Sequence, residues 1–414
     1  MNRRNFMMGC SSAIAAMAGA QITSLTFATS DGGSDDVLVV VFLRGGWDAI
    51  SVLPPLDGPD RAAYEAARPH LRIPIRGKNA ALGLNNQFGL HQSLEPLLEL
   101  YQGKQLAIVL AAGMPTSDTR SHFDAMRYME LGTPNQNSTT TGWITRHLQA
   151  SPAKSGGLSL PAVTIDAATA ASLLGSPEAV AMRNPREFLL VDDKDFRKSL
   201  TKLIGDLYKG DSWLHAAGRR TLATIRLVEQ IKTEDYKPAV KYPEHEFGER
   251  LKTLASLLKQ GLSMKVATVD LGGWDTHQWQ GEHGEGYLAE LLGQLSGGLA
   301  AFYKDMAAAN LTRKLNIVVM SEFGRRLAEN ASRGTDHGHG SAMLVLGGNV
   351  NGGRLYGTWP GLGAEQLYDR ADLRATTDYR AVIAEILKFR LKNERIGMVF
   401  PGYSLGQPMG IVRG

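Results

Sequence analysis

The sequence predicts an α/β protein whose mainly parallel central sheet is covered by helices on both faces. Residues 37–43 form a continuous apolar, β-branched run without polar alternation, which is typical of a strand buried on both faces. Similar short runs recur along the chain, and segments with helical periodicity lie between them. Strands and helices that alternate in this way form parallel sheets, and such sheets bind ligands at the carboxyl ends of their strands.

The elements follow in order along the chain. The predicted strands are residues 37–43, 106–110, 162–165, 266–269, 317–320 and 342–346. Helical patterns cover residues 124–131, 251–258 and 287–303, and a last helix follows Thr377 or Asp378, either of which can cap it. Between residues 151 and 242 the strand signal is weak, so we expect a mostly helical insertion. This insertion would cover part of the sheet edge at which the strands end and ligands bind.

The N-terminus is typical of a twin-arginine export signal. Arg3 and Arg4 are followed by Phe6 and by a weakly apolar, Ala/Gly-rich stretch. We therefore predict a signal peptide at residues 1–28, a single domain at 29–414, and a periplasmic or secreted location reached through the twin-arginine export machinery. The only cysteine, Cys10, lies in the leader, so metal ligands in the mature chain must come from His, Asp, Glu or hydroxyl groups.

Charge and hydropathy narrow the class of partner. Removing Arg3 and Arg4 takes the formal charge from +4 to +2, that is 43 basic against 41 acidic residues, and no long basic tract remains. We therefore expect no nucleic-acid partner. Outside the leader no run of 18 apolar residues occurs, so we expect no membrane span in the mature chain.

Two short motifs carry the side chains of a metal site. Asp336, His337 and His339 precede a predicted strand, and two histidines two residues apart point to the same side of an extended segment. Asp275 and His277 repeat this spacing after another strand. Together they offer nitrogen and oxygen ligands for zinc, manganese or iron, with calcium the less favoured ion. The alternative is a pair of polar turns whose histidines are solvated or hydrogen-bonded to backbone.

A second cluster combines hydroxyls, an imidazole and a guanidinium before a helix. Ser121 can be activated as a nucleophile by the helix dipole and a metal, His122 stands beside it, and Arg120 can hold an anionic oxygen. The alternative is that Ser121 or Thr119 only caps the helix. Arg44 and Arg120 would give the pocket a positive lining for phosphate or sulfate, whereas Arg325 and Arg326 fit either the pocket or the surface.

Taken together, these motifs resemble the DUF1501 family of exported bacterial proteins, which is grouped with the sulfatase and alkaline phosphatase superfamily. The resemblance covers essentially the whole mature chain and is carried by the Arg-Arg leader and by residues 42–48, 88–91, 120–125, 272–277, 321–326, 334–340 and 376–380. It implies an alkaline phosphatase-like three-layer α/β sandwich with two metals and a nucleophile at a helix start. That places Ser121, or else Thr119, in the nucleophile position, and Asp275, His277 and His337 or His339 in one metal site.

The sequence also departs from the superfamily pattern. Arg44 stands where an aspartate commonly follows the first strand, and Glu322-Phe323 stands where Asp-His is common. Phenylalanine cannot bind a metal, so the second site is either rebuilt from Asp48 and Glu322 or missing. We prefer a site with one divalent ion.

These observations support two functions. The first is an exported metal-dependent hydrolase of phosphate or sulfate esters, in which Ser121 or a metal-activated water attacks and Arg44 or Arg120 stabilises the developing charge. The second is a non-catalytic, metal-containing protein that binds an anionic glycan or an exported partner. A redox enzyme is the weakest interpretation, because the chain has no dinucleotide fingerprint and no cysteine ligands outside the leader.

Overall fold

A computed structural model describes residues 34–151, 160–188, 190–191, 193–229 and 236–414. The predicted twin-arginine leader, with Cys10, lies outside these residues. Within the described segments, no helix is both long enough and apolar enough to cross a membrane.

A nine-stranded sheet forms the centre of the molecule. In chain order the strands are β1 (Val37–Leu43), β2 (Leu82–Gly83), β3 (Gly89–Leu90), β4 (Leu106–Gly113), β5 (Ala162–Thr164), β6 (Ala179–Ala181), β7 (Val266–Leu271), β8 (Leu315–Ser321), β9 (Ser341–Leu346), β10 (Arg354–Tyr356) and β11 (Thr377–Asp378). The sheet has the order β10-β4-β9-β8-β1-β7-β5-β6, with β11 beside β4, while β2 and β3 form a separate ribbon. Every pair in the large sheet is parallel except those of β9, which is antiparallel to both β4 and β8.

Eleven α-helices are described. They are α1 (Ala49–Val52), α2 (Gly58–Ala67), α3 (Glu95–Gln102), α4 (His122–Leu131), α5 (Trp143–Ala150), α6 (Lys194–Leu207), α7 (Trp213–Glu229), α8 (Glu246–Lys259), α9 (Tyr287–Ala308), α10 (Tyr379–Phe389) and α11 (Ile396–Val399).

Successive side chains of the central strand β1 point to opposite faces and build two separate cores. Val39, Val41 and Leu43 pack in a cluster with apolar residues of α3, α8 and α9. Leu38, Val40 and Phe42 pack in another with residues of α4, α5, α10 and α11. The unbroken apolar run of β1 is thus explained by helices on both sides, and the predicted three-layer α/β architecture is confirmed.

The six predicted strands are all present, and α4, α8, α9 and α10 match the predicted helices. Asp378 is the cap of α10, because its carboxylate accepts from the amide of Arg380. Within the described part of residues 151–242, β5 is the strand predicted at 162–165, and β6 adds a second short strand beside it that the sequence did not indicate. The helices of that segment are α6 and α7.

Candidate functional site

Four strands end at one edge of the sheet and deliver the polar segments there. β1 is parallel to β7 and to β8, and β8 and β4 share a direction because each is antiparallel to β9. The segments that follow β4, β7 and β8 carry His122, Asp275 and Glu322, respectively. Distant parts of the chain therefore meet at the carboxyl edge, as expected for a parallel sheet.

Three imidazoles converge on one carboxylate oxygen. Asp275 Oδ1 lies 3.2 Å from His122 Nε2, 3.1 Å from His277 Nε2 and 3.2 Å from His337 Nε2. His277 Nε2 and His337 Nε2 are themselves 2.8 Å apart. The ligand atoms of His122, Asp275 and His337 all lie within 4.8 Å of one another, which is close enough to hold one metal ion. Below, the term metal cluster refers to His122, Asp275, His277 and His337.

An oxygen acceptor orients each ring from behind. The Nδ1 atoms of the three histidines contact, at 2.7, 3.0 and 2.7 Å, Glu322 Oε1, Asp336 Oδ1 and the carbonyl of Arg120. A neutral imidazole that donates through Nδ1 keeps a lone pair on Nε2, so all three Nε2 atoms are set up as ligands. Carboxylates and carbonyls behind metal-binding histidines are the usual second layer of such sites.

The cluster offers a set of donor atoms that a cation would fit. In these tautomers three lone pairs and a carboxylate oxygen face one another with no proton between them. His122 Nε2 is buried and has no hydrogen-bond partner in the described part of the chain. Three imidazole nitrogens and one carboxylate form a suitable donor set for zinc, manganese or iron, so the residues fit a divalent metal.

The surrounding charges shift the pKa values of the cluster. Burial alone would raise the pKa of Asp275, but the hydrogen bond and the positive charge of Arg325 outweigh burial and, with the smaller contributions of His337 and His122, hold it well below its usual range. For His122 burial lowers the pKa, and the hydrogen bond and charge of Glu322, helped by Asp275, outweigh burial and raise it. Burial lowers the pKa of His337, and the charges of His122 and Arg325 lower it further.

Arg325 joins the three loops of the site. Its guanidinium is fully buried and donates to Asp275 Oδ1 at 2.7 Å. It also donates to four backbone carbonyls, those of Gly45, Gly46, Trp274 and Thr335. Of the two locations left open by the sequence, Arg325 therefore lies in the interior, where it fixes the backbone that presents the ligands.

Sequence reasoning missed two further contributors. Asn330 Nδ2 donates to the carbonyl of His277 at 2.9 Å and to Asp336 Oδ1 at 3.1 Å, which links two ligand loops. Phe323 packs its ring 4.8 Å from that of His122 and 5.1 Å from that of His337, closing one side of the cluster with an apolar surface. For Asn330 the only sequence signal was its position in the segment between two strands, whereas Phe323 lies in the motif 321–326 but was noted there only as a residue that cannot bind a metal.

Two predicted ligands lie elsewhere and are corrected. His339 is buried, its Nε2 donates to the carbonyl of Ser117 at 3.0 Å, and its Nδ1 accepts from the amide of Ala375 at 3.1 Å, so both nitrogens are in use. Asp48 is fully buried in a bidentate pair with Arg68, at 2.5 and 3.0 Å. The Asp275 and His277 side chains, by contrast, lie in the cluster, and their role as metal ligands stays a prediction.

Glu322 and Asp336, also predicted as ligands, hold the histidine rings instead, because their Oε1 and Oδ1 atoms accept from His122 and His277. Glu322 Oε1 accepts in addition from the amide of Gly45 at 2.8 Å. His122 was expected to act in catalysis beside Ser121, and the structure places its Nε2 atom beside Asp275 Oδ1, within a group that could hold a metal ion. No carboxylate of the rebuilt second site, Asp48 or Glu322, is free to bind a second ion.

The predicted catalytic arginines are paired with acids. Arg44 contacts both oxygens of Glu130 at 3.1 Å and Asp270 at 2.5 Å. Arg120 donates to Asp372 at 2.7 and 3.0 Å and to Asp369 at 2.8 Å, so its contribution to the cluster is the backbone carbonyl behind His337.

Ser121 adopts the capping role that the sequence left open. Its hydroxyl accepts from the amide of Asp124 at 3.4 Å, and Ser121 is the N-cap of α4. Thr119 Oγ1 accepts from the Ser121 amide at 3.2 Å, which fixes the turn before the helix. The hydroxyl of Ser121 therefore stands directly before the ligand His122 in the chain.

The protein is thus a three-layer α/β protein with a histidine-carboxylate cluster at the carboxyl edge of its sheet. The chain belongs to the family described as "Protein of unknown function (DUF1501)", whose profile matches residues 35–393. A comparison with curated proteins finds no match.

Solved structures to which this chain is similar include the following three. The C-terminal periplasmic domain of EcEptC from Escherichia coli, in complex with Zn, is 12% identical, with 79% of this chain and 77% of that chain covered and a TM-score of 0.35. The PsFucS1 sulfatase from Pseudoalteromonas sp. is 9% identical, with coverage of 92% and 74% and a TM-score of 0.38. Alkaline phosphatase from the Antarctic bacterium TAB5 is 8% identical, with coverage of 76% and 92% and a TM-score of 0.27.

Proposed function

We propose that this protein is an exported metal-binding hydrolase of phosphate or sulfate esters that uses one divalent ion. The observation that carries the proposal is the convergence of three imidazole Nε2 atoms on Asp275 Oδ1, at 3.1 to 3.2 Å. In this proposal residues 1–28 are the twin-arginine signal and residues 29–414 form one α/β domain.

His122, Asp275, His277 and His337 would hold the ion, as zinc, manganese or iron. When bound, a divalent metal polarises an ester oxygen and lowers the pKa of a hydroxyl or water nearby. Glu322, Asp336 and the Arg120 carbonyl hold the Nδ1 side of each ring and leave each Nε2 facing Asp275, which orients the ligands before the ion enters.

The remaining residues shape the surroundings of the ester. Phe323 keeps water from one side of the rings. Ser121 precedes His122 at the start of α4, where the helix N-terminus favours an anion. In the proposed reaction either the Ser121 hydroxyl or a water molecule attacks the phosphorus or sulfur atom.

A second candidate function is a non-catalytic metal protein that binds an anionic glycan or an exported partner. The pairing of Arg44 and Arg120 with carboxylates favours it, because neither guanidinium is then free to stabilise charge that develops on an ester. One-ion chemistry also lacks the second clamp of two-metal phosphoryl transfer, which supplies several kcal/mol of stabilisation.

Metal analysis and ester screening separate the two functions. The protein purified after export would be assayed for bound metal and for turnover of aryl phosphates and aryl sulfates, with His337→Ala as the test variant. Glu365→Gln, at an exposed acid paired with Arg370, is the control. We expect about one metal per chain, and ester turnover that His337→Ala abolishes and Glu365→Gln preserves. Bound metal without turnover of any ester would favour the second function, and a metal-free protein would refute both.

A further inference from the structure

Trp279 is displayed on the surface in a strained conformation. Its side chain is 71% exposed, although tryptophan is usually well buried. Its φ angle is +50°, in the left-handed region that bulky residues rarely adopt. Strain of this kind persists only where neighbouring structure enforces it, and it concentrates at functional sites.

The neighbouring structure here is the metal site itself. The amide of Trp279 donates to the carbonyl of Ser332 at 3.0 Å, and that of Gln280 donates to Arg333 at 2.9 Å. The buried side chain of Gln280 accepts from the hydroxyls of Thr276 and Thr335 at 2.8 and 2.7 Å. The loop that carries His277 is therefore locked to the loop that leads to Asp336 and His337, and Trp279 is held beside both.

A second exposed aromatic ring follows another ligand. Phe123 comes directly after His122 in the first turn of α4, and its side chain is 89% exposed. Exposed rings thus adjoin the metal cluster in two separate segments of the chain. Neither ring contributes to a hydrophobic core cluster, so packing does not explain either position.

A charged pair lies beside the indole. The Arg333 guanidinium lies over the Trp279 ring, 5.9 Å from its centre, and pairs with Glu282 at 3.3 Å. One open aromatic face bordered by donors and acceptors matches a pyranose, since a sugar has an apolar C–H face and a rim of hydroxyls. The negative face of the aromatic ring attracts the partly positive C–H hydrogens. An aryl group would gain more from an enclosed apolar slot, which buries both of its faces.

We propose that Trp279 and Phe123 bind the sugar rings of an anionic saccharide whose ester group faces the metal cluster. This assignment of substrate class rests on the proposed function. Trp279 and Phe123 supply ring contact, while Arg333 and Glu282, beside the indole, bond to hydroxyl groups of the saccharide.

The test is calorimetric titration of the exported protein with three tetrasaccharides: heparin-derived, chondroitin sulfate-derived and cellotetraose, which is neutral. We expect at least one sulfated tetrasaccharide to bind. Trp279→Ala and Phe123→Ala should each weaken binding about tenfold, whereas Trp279→Phe should retain most of the affinity. Phe196→Ala is the matched control, because Phe196 is an aromatic residue of α6 that is 59% exposed. It should bind like the wild type.

Two results would overturn the inference: no tetrasaccharide binds the wild type, or binding is unchanged in both alanine variants. Parallel assays of methylumbelliferyl phosphate and sulfate separate this failure from failure of the proposed function. If ester turnover depends on His337 and no saccharide binds, the proposed hydrolase is retained and the saccharide-binding role of Trp279 and Phe123 is refuted. If saccharide binding depends on Trp279 and no ester is turned over, the saccharide-binding role is retained and the proposed hydrolase is refuted.

Discussion

At the scale of single residues, Glu322 orients a histidine of the metal cluster. Its buried carboxylate accepts from His122 Nδ1 at 2.7 Å and from the amide of Gly45 at 2.8 Å, and Ser321 donates to its other oxygen at 3.0 Å. One side chain therefore fixes a ring, a neighbouring loop and its own orientation.

Glu322→Gln should weaken metal binding without removing a ligand. The amide can still accept from His122, but it loses the negative charge that strengthens the imidazole as a ligand. We expect the metal dissociation constant to rise about 10- to 100-fold, as measured by competition with a chelator. An unchanged constant would contradict the orienting role, and loss of all metal would indicate that Glu322 is itself a ligand.

Asp48→Asn should destabilise the fold and leave the metal content unchanged. The substitution leaves the buried guanidinium of Arg68 without its counter-charge, which typically costs about 3–5 kcal/mol. Chemical denaturation gives the free energy of unfolding, and metal analysis gives the stoichiometry. A normal free energy of unfolding with reduced metal would restore Asp48 as a ligand.

At the scale of elements, the turn after β1 depends on close backbone approach. Gly45 has a φ angle of +125°, and a Cβ atom there would lie 2.5 Å from the amide nitrogen of Asp275. Two loops that carry the site are therefore in backbone contact, and no flexible side chain is available to make room.

Gly45→Ala should displace the Asp275 loop. The unfavourable φ angle and the backbone clash should together lower the free energy of unfolding by about 1–3 kcal/mol and weaken metal binding. Gly83→Ala is the control, because an added Cβ atom there has no neighbour within 4 Å. Equal stability of the two variants in denaturation would show that the close approach does not occur.

At the scale of the whole molecule, buried neutral histidines link stability to pH. Burial lowers the pKa of His91 to about 4, although Asp48 opposes the shift. Burial also lowers the pKa of His147, to about 3, with a smaller effect from Lys265. Asn393 donates to His147 Nδ1 at 2.8 Å, a bond that the neutral ring accepts.

Acid should therefore destabilise the protein from about pH 6.5 downward. Below this pH the unfolded histidines, with an ordinary pKa of about 6.5, take up protons while the folded ones stay neutral, so stability rises with pH in this window. Each of the two histidines contributes about 1.4 kcal/mol per pH unit between roughly pH 6 and 4.5. His147→Gln should reduce the slope by that amount in denaturation of the metal-free protein; an unchanged slope would show that His147 is protonated in the folded state.

The sequence was most informative where burial imposes a pattern. The apolar runs of β1, β8 and β9 are covered on both faces, so the runs alone located them, and the carboxyl-edge rule placed Asp275, His277 and His337 together. The sequence could not distinguish a residue that faces the centre of the metal cluster from a residue that orients such a side chain through a hydrogen bond. His337 and His339 share a side in an ideal strand, but the segment is not a strand and their rings diverge. Buried pairings such as Asp48 with Arg68 link residues that no local pattern connects.

The antiparallel direction of β9 determines how the surroundings of the metal cluster can vary. Because β8 ends and β9 begins at the carboxyl edge, the chain from Ser321 to Ser341 leaves the sheet and returns to it on the same side. The nineteen residues between them therefore do not have to cross the molecule. A change in length between the residues of this segment that hold the site would alter the surroundings of the metal cluster while every strand keeps its neighbours, so these surroundings can vary independently of the sheet.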